Sequence, residues 1–317
     1  MAPRKILLDC DPGLDDALAL LLAHGDPQLD LVAVTTVGGN VRVEATTRNA
    51  RRLREYIGFD AVPIAQGAAE PLVRPAENAA HVHGEEGLGG VELPEAELGT
   101  SALDAVDLIV SILAASPGEV HLVATGPLTN IALALRREPR IAQWAASFVI
   151  MGGSFTRGNA TPAAEFNIYA DPEAAAEVFA AGWQVVMVGL DLTLQAIATP
   201  QILERMRLLG SLAEELVIPL ATFWTNPHDD QWQGQAVHDV CAVAYVSRPD
   251  LFTSRPARVE VETRGEFTSG ATVVDFSSGS PNALVPIALD VDGFWDHAYA
   301  SWDFVARDRA RRTGDRG

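Results

Sequence analysis

Lysine is almost absent from this chain. Lys5 is the only one in 317 residues, so any mechanism that needs an active-site lysine has one candidate, near the start of the sequence. Cysteine is nearly as scarce. Cys10 and Cys241 cannot build a disulfide framework, and each lies beside an aspartate of interest; both are expected to be reduced thiols, as suits a cytoplasmic protein. No apolar run approaches the roughly 20 residues of a membrane span. Asp9 and Asp11 interrupt the apolar run that follows Arg4 and Lys5 too early for a signal peptide. Positive charge is also in deficit, since 23 Lys and Arg face 42 Asp and Glu for a net charge of -19. Such a polyanion has no generic attraction for nucleic acid or for an anionic membrane.

Enough apolar residue is present for one large core: 48% of the chain is hydrophobic and 21% charged. No repeat or linker divides it, so residues 1–306 are expected to form one α/β domain, with 307–317 as a flexible tail. Strand patterns at Lys5 to Asp9, Leu31 to Val37, Val62 to Ala65, Val120 to Ala124, Phe148 to Met151 and Val185 to Leu190 alternate with helical patterns. The helices are Leu14 to Ala23, Val43 to Tyr56 (stopped by Gly58), Ala102 to Ala115, Leu128 to Leu135, and Glu173 to Ala181 with Asp171 as N-cap. The alternation predicts right-handed βαβ units and an open, mostly parallel, Rossmann-like sheet with flanking helices. A C-terminal addition follows. Two helices span Pro200 to Phe223 and another runs from His238 to Val246. Short strands at Arg258 to Glu262, Thr272 to Phe276 and Leu284 to Leu289 read as an antiparallel addition, and a last helix spans Phe294 to Ala306. Two long loops, Gly67 to Thr100 and Asn226 to Gln235, have the character of lids or binding loops.

The densest chemistry lies where the first strand meets the first helix. Leu8 to Leu18 carries Asp9, Asp11, Asp15 and Asp16, with no arginine or lysine in the stretch. Like charges this close are costly to bury without positive compensation. Oxygen donors without a cysteine cluster favour a hard divalent cation, calcium or magnesium. Asp11 and Asp15 are the first ligand candidates, and Asp239, at the start of an apolar helix, is the third. A carboxylate beside cation-activated water makes Asp11 the candidate general base. His238, His81 and His83 are candidate acids. Between Gly152 and Asp171, Asn159, Glu165 and Asn167 supply the amide and carboxylate groups that suit vicinal sugar hydroxyls. In a parallel sheet, all these positions fall beyond the carboxyl ends of strands, where ligands bind.

The run Asp9-Cys10-Asp11-Pro12-Gly13-Leu14-Asp15-Asp16 resembles the signature of the inosine-uridine nucleoside hydrolase family. So do Thr35 to Asn40 (TTVGGN), Ala124 to Asn130 (ATGPLTN), Met151-Gly152-Gly153, Glu165-Phe166-Asn167 and Val237-His238-Asp239, all in order along the chain. The resemblance implies hydrolysis of the N-glycosidic bond of ribonucleosides to free base and ribose. It implies a calcium ion held by Asp11, Asp15, Asp239 and the backbone carbonyl of Thr125, with Asp11 as general base. Asp15, Asn40, Asn159, Glu165 and Asn167 would grip the ribose, His238 would lie near the leaving base, and His81 would be a second base-side residue. Homodimeric or homotetrameric assembly is implied in the same way. Where family members often place tyrosine, arginine or glutamine ahead of the His-Asp pair, this chain has Thr222 to Trp232, with Pro227 and no tyrosine or arginine. Leaving-group protonation then falls to His238, His228 or solvent.

Two other functions compete. Asp9-x-Asp11 also resembles the haloacid-dehalogenase-like phosphohydrolases, but their late lysine has no counterpart here, and Pro12-Gly13-Leu14 replaces the usual threonine or valine. A non-catalytic nucleoside-binding protein on the same fold is the other; the intact set Asp11, Asp15, Asn167 and Asp239 argues against it.

Overall fold

A computed structural model describes residues 2–225 and 233–314. Nine strands form a single sheet: β1 Arg4–Cys10, β2 Leu29–Thr36, β3 Ile64–Gln66, β4 Val120–Ala124, β5 Ala145–Met151, β6 Val185–Val188, β7 Phe252–Val261, β8 Thr272–Asp275 and β9 Ala283–Leu289. Their order is β3-β2-β1-β4-β5-β6-β9-β7-β8. Pairing is parallel from β3 through β9, and antiparallel where β7 joins β9 and β8 joins β7.

The sheet is buried on both faces because its central strands are apolar on both, as parallel sheets are. Along β1, Ile6 and Leu8 join one core and Leu7 the other. Helices Leu14–Gly25, Val43–Ile57, His238–Ser247 and Val291–Thr313 pack on the first side; Ala105–Ala115, Thr129–Arg137 and Pro172–Ala180 pack on the second. Strands are laid down outward from β1 to β3, and the chain then returns to place β4 against the other side of β1. That reversal opens a crevice between the carboxyl ends of β1 and β4. Registers bring those ends level: Asp9 pairs with Thr35 of β2 and with Ala124 of β4.

Local signals account for the helix ends. Gly58 caps its helix in the left-handed conformation (φ 106°). Asp171 caps helix Pro172–Ala180 with Pro172 at its first position, its Oδ1 accepting from the Ala174 N–H at 3.0 Å. Several expectations need correction. The three C-terminal strands do pair antiparallel with one another, but they are also continuous with the main sheet, because β9 pairs parallel with β6 through Val185↔Ala283 and Val186↔Leu284. The strand at β6 ends at Val188, and Leu190–Thr193 turns helical. Pro200 to Phe223 breaks into α, 3-10, π and α segments rather than two helices. The supposed tail is helical to Thr313, because its arginines have partners. Arg309 sits 4.0 Å above the Tyr56 ring and 2.7 Å from Glu215, and Arg312 donates to the Ile57 carbonyl. Residues 315–317 lie outside the described residues.

Arg309→Ala is expected to cost about 1 kcal/mol, since it removes a cation–π contact and a half-exposed ion pair together. Thermal unfolding should show a lower midpoint; an unchanged midpoint would mean that the last two turns contribute nothing.

Candidate active site

Five aspartates crowd the crevice. Asp9, Asp11 and Asp16 are wholly buried, and Asp15 and Asp239 nearly so. Carboxylate oxygens of Asp15, Asp16 and Asp239 lie within 4.8 Å of one another, close enough to hold a metal ion. Among the described residues, no arginine or lysine forms an ion pair with any of the five.

Neutral donors do what they can. Asp15 and Asp16 stand on the first turn of helix Leu14–Gly25, and Asp239 on the first turn of His238–Ser247; the positive ends of both helices therefore face the cluster. Asp16 Oδ2 accepts from the Gly13 N–H at 3.0 Å and from Asn40 Nδ2 at 3.1 Å, while its Oδ1 accepts from the Thr125 hydroxyl at 3.0 Å. The backbone N–H groups of Asp239 and His238 oppose the rise in the Asp15 pKa. Asp11 Oδ2 accepts from the Asn40 N–H at 2.7 Å, but Asp11 Oδ1 is buried with no partner.

These donors do not offset the desolvation. Burial pushes Asp15 and Asp16 up to about 6 and drives Asp11 and Asp239 well above the usual carboxylate range, with neighbouring carboxylates adding to the rise of Asp11, Asp16 and Asp239. A hard cation supplies the missing charge, and the orphaned oxygen of Asp11 beside an all-oxygen donor set fits one.

The expected site residues divide. Asp11, Asp15, Asn40, Thr125, Asn167 and Asp239 come together in the crevice. Asn167 Nδ2 donates to the Thr125 carbonyl at 2.7 Å and to the Met151 carbonyl at 3.1 Å, so it bridges the ends of β4 and β5. Glu165 is buried, but its oxygens accept from the N–H groups of Asn167, Gly153 and Ile168 (2.9, 2.9 and 3.2 Å), which makes it a helix cap that builds the site. Asn159 is exposed and accepts from the Phe166 N–H at 2.9 Å. His81 is exposed too. The buried imidazole is His83, whose Nδ1 accepts from the Leu14 N–H at 3.1 Å and whose pKa burial depresses to about 3. His238 is half-buried, its Nδ1 is 2.7 Å from the Thr193 hydroxyl, and burial lowers it to about 4, so it is a neutral imidazole at pH 7. His228 lies outside the described residues. Lys5 is six residues back along β1, about 20 Å from Asp11 at strand spacing, and pairs with Glu119 at 2.7 Å; it cannot serve a phosphohydrolase site here.

Asp16 is the residue that motif reading left without a role. Only its hydrogen bonds to Gly13, Asn40 and Thr125 single it out from Asp15.

The sequence from residue 6 to 296 matches the family model described as inosine-uridine preferring nucleoside hydrolase. The chain belongs to that family. It is 46% identical over 299 residues to the inosine-uridine preferring nucleoside hydrolase of Leishmania major, covering 92% of this chain and 95% of that one. It is 50% identical over 292 residues to the non-specific ribonucleoside hydrolase RihC of Escherichia coli, covering 91% and 95%. A purine-preferring ribonucleoside hydrolase from Gardnerella vaginalis superposes with a TM-score of 0.90 at 32% identity, covering 96% of this chain and all of that one. The family match spans all three loop ends that carry Asp11, Thr125 and Asp239.

For a carboxyl group whose pKa is raised by folding, the native state holds more protons than the unfolded one, so stability falls as pH rises from about 4 through the raised value. Without metal, the protein should therefore weaken as pH climbs from about 4 to about 6. Calcium should raise the thermal midpoint progressively more over that window, reaching about 2.7 kcal/mol of added stability at 100 times its Kd. Asp239→Asn should remove most of that gain. A midpoint indifferent to calcium and chelator across the window would refute a cation site.

Proposed function

We propose that this nucleoside hydrolase cleaves the N-glycosidic bond of ribonucleosides by direct attack of water, with Asp11 as general base. The observation that carries the proposal is the asymmetry of the Asp11 carboxylate: Oδ2 is fixed by the Asn40 N–H, while buried Oδ1 has no partner. An anchored carboxylate with one unused oxygen is arranged to take a proton. Asp15, Asp16 and Asp239, with the Thr125 carbonyl, would hold calcium. That ion would lower the pKa of a bound water and engage sugar hydroxyls.

The chain's own groups do the remaining work. As the water oxygen bonds to the anomeric carbon, its proton passes to Asp11 Oδ1. The C–N bond breaks and its electron pair leaves with the base. Positive charge grows on the ribose ring, and the buried carboxylates stabilise it without having to reorient. Asn40 and Asn167, whose amide N–H groups are already donated to loop carbonyls and to Asp16, would offer their amide oxygens as fixed acceptors for the ribose hydroxyls. His238, braced by Thr193, presents a neutral imidazole to the departing base, where it acts as a hydrogen-bond donor. The departing base takes up a proton from solvent beside His238 and Asp11 releases its proton to solvent, so that free base and ribose are the products.

Asp11→Asn should lower kcat on inosine or uridine by about 10³-fold or more with the fold intact, as expected when an essential base is lost. Free ribose is the readout, and a near-normal rate would remove Asp11 from the chemistry. His238→Ala should reduce turnover of natural nucleosides far more than turnover of p-nitrophenyl riboside, whose leaving group needs no proton. Equal losses on both substrates would reject assistance to the leaving base.

A further inference from the structure

Asn130 is fully buried on the first turn of helix Thr129–Arg137 and touches neither the metal-binding trio nor Asp11. It nevertheless joins three strand ends. Its Nδ2 donates to Asp9 Oδ1 at 2.8 Å and to the Thr36 carbonyl at 2.9 Å, and its Oδ1 accepts from the Ala68 N–H at 2.8 Å. Asp9 is itself held by the Thr35 hydroxyl at 2.5 Å. Packing around the amide is close. A Cβ at Gly67 would stand 2.3 Å from Asn130 Oδ1 and 2.5 Å from the Thr36 carbonyl oxygen, so no side chain fits between them.

The contacts continue towards the site. Ala68, held by Asn130, accepts from the Gly38 N–H at 2.9 Å. Gly38 lies in the loop from Thr36 to Asn40, whose far end delivers the Asn40 N–H to Asp11 Oδ2 at 2.7 Å and Asn40 Nδ2 to Asp16 at 3.1 Å. The loop is thus pinned at both ends, by Asn130 at Thr36 and Gly38 and by the two aspartates at Asn40. Both N–H donors of the amide and its oxygen are thereby engaged.

We infer that Asn130 is a positioning residue for the general base: its buried amide fixes the 36–40 loop, and through that loop the donor that orients Asp11. The inference rests on Asp11 being the base. A misplacement of the order of 1 Å is enough to cost about 100-fold in rate.

Steady-state kinetics on inosine, with terbium luminescence as a separate measure of cation binding, test this on the full-length protein. Asn130→Ala should lower kcat by about 10- to 100-fold while KM and terbium affinity stay near those of the parent. Asn130→Asp, which sets a carboxylate against Asp9 and the Thr36 carbonyl, should be no better. The Asn130→Ala and Asn40→Ala losses should be less than additive when combined, because both loosen one loop. Asn130→Ser, which keeps one donor and one acceptor, should fall between parent and alanine and carries the test if alanine prevents folding. A folded Asn130→Ala with parental kcat overturns the positioning role, as does a loss explained wholly by weaker terbium binding. Asp11→Asn separates the two assignments: if it is active, the base assignment fails and this one with it. If it is inactive beside an unimpaired Asn130→Ala, the positioning role alone fails.

Discussion

Burial of like charges at the ends of β1 and the helices facing it is the constraint on which the rest of the structure depends. Five aspartates share a crevice in which, among the described residues, none is paired with arginine or lysine, and the hydrogen-bond donors to Asp11 and Asp16 are neutral. In a medium of low effective dielectric, such a cluster works against folding. Two helix N-termini, backbone amides and asparagines reduce the cost without removing it, as the raised pKa values show. The same deficit makes the site useful. Groups that together call for positive charge suit a cation, and in the proposed reaction a cavity already negative would stabilise a sugar that becomes positive as its bond to the base breaks.

Topology makes the crowding possible. None of these residues is near all the others in sequence, and the parallel sheet collects them by ending β1, β2, β4 and β5 on one level. Asp11 follows β1, Asn40 follows β2, Thr125 follows β4 and Asn167 bridges from β5, while Asp239 arrives on a helix packed over that edge. The reversal of strand order between β1 and β4 leaves the gap into which they project.

Much of this was legible in the sequence, and the part that was not has a common cause. Alternating apolar runs and glycine punctuation located the strands of the first half and put the ends of β4, at Val120 and Ala124, at the right residues. The aspartate-rich turn pointed to a cluster of carboxylates that could hold a cation, and Asp15 and Asp16 do meet Asp239 there. Choices between neighbours were harder. Asp15 and Asp16 are adjacent and chemically identical, and helix rotation alone decides which faces Gly13, Asn40 and Thr125. His81 and His83 differ by half a helical turn, so one is exposed and the other lies against Leu14. Asn159 and Glu165 carry the functional groups that a sugar site wants, yet both are engaged by the backbone of their own loop. Residue type and spacing specify a neighbourhood; which side chain enters it depends on packing across several elements. The C-terminal helix illustrates the same limit, because its last turns depend on Tyr56, Ile57 and Glu215 rather than on local propensity.

Glycines in the motifs bind these observations together. Gly39 and Gly126 belong to different loops, and neither has a positive φ that would require glycine for conformational reasons. Their need is space. A Cβ at Gly39 would lie 2.1 Å from Asp11 Oδ2, and one at Gly126 would lie 2.7 Å from Asp11 Oδ1. Neither neighbour is a flexible chain end that can swing away, since Asp11 is buried and held by Asn40. Two segments that look unrelated in sequence therefore lack side chains for the same reason: both loops close on a single carboxylate and leave room for little beyond its two oxygens. A cradle built by subtraction from two loops restrains Asp11 more tightly than hydrogen bonds alone would, since it bars the rotations that would let the carboxylate turn from the cavity. Alanine at either position would force the loop or Asp11 to move, so these glycines shape the site as much as the aspartate they enclose.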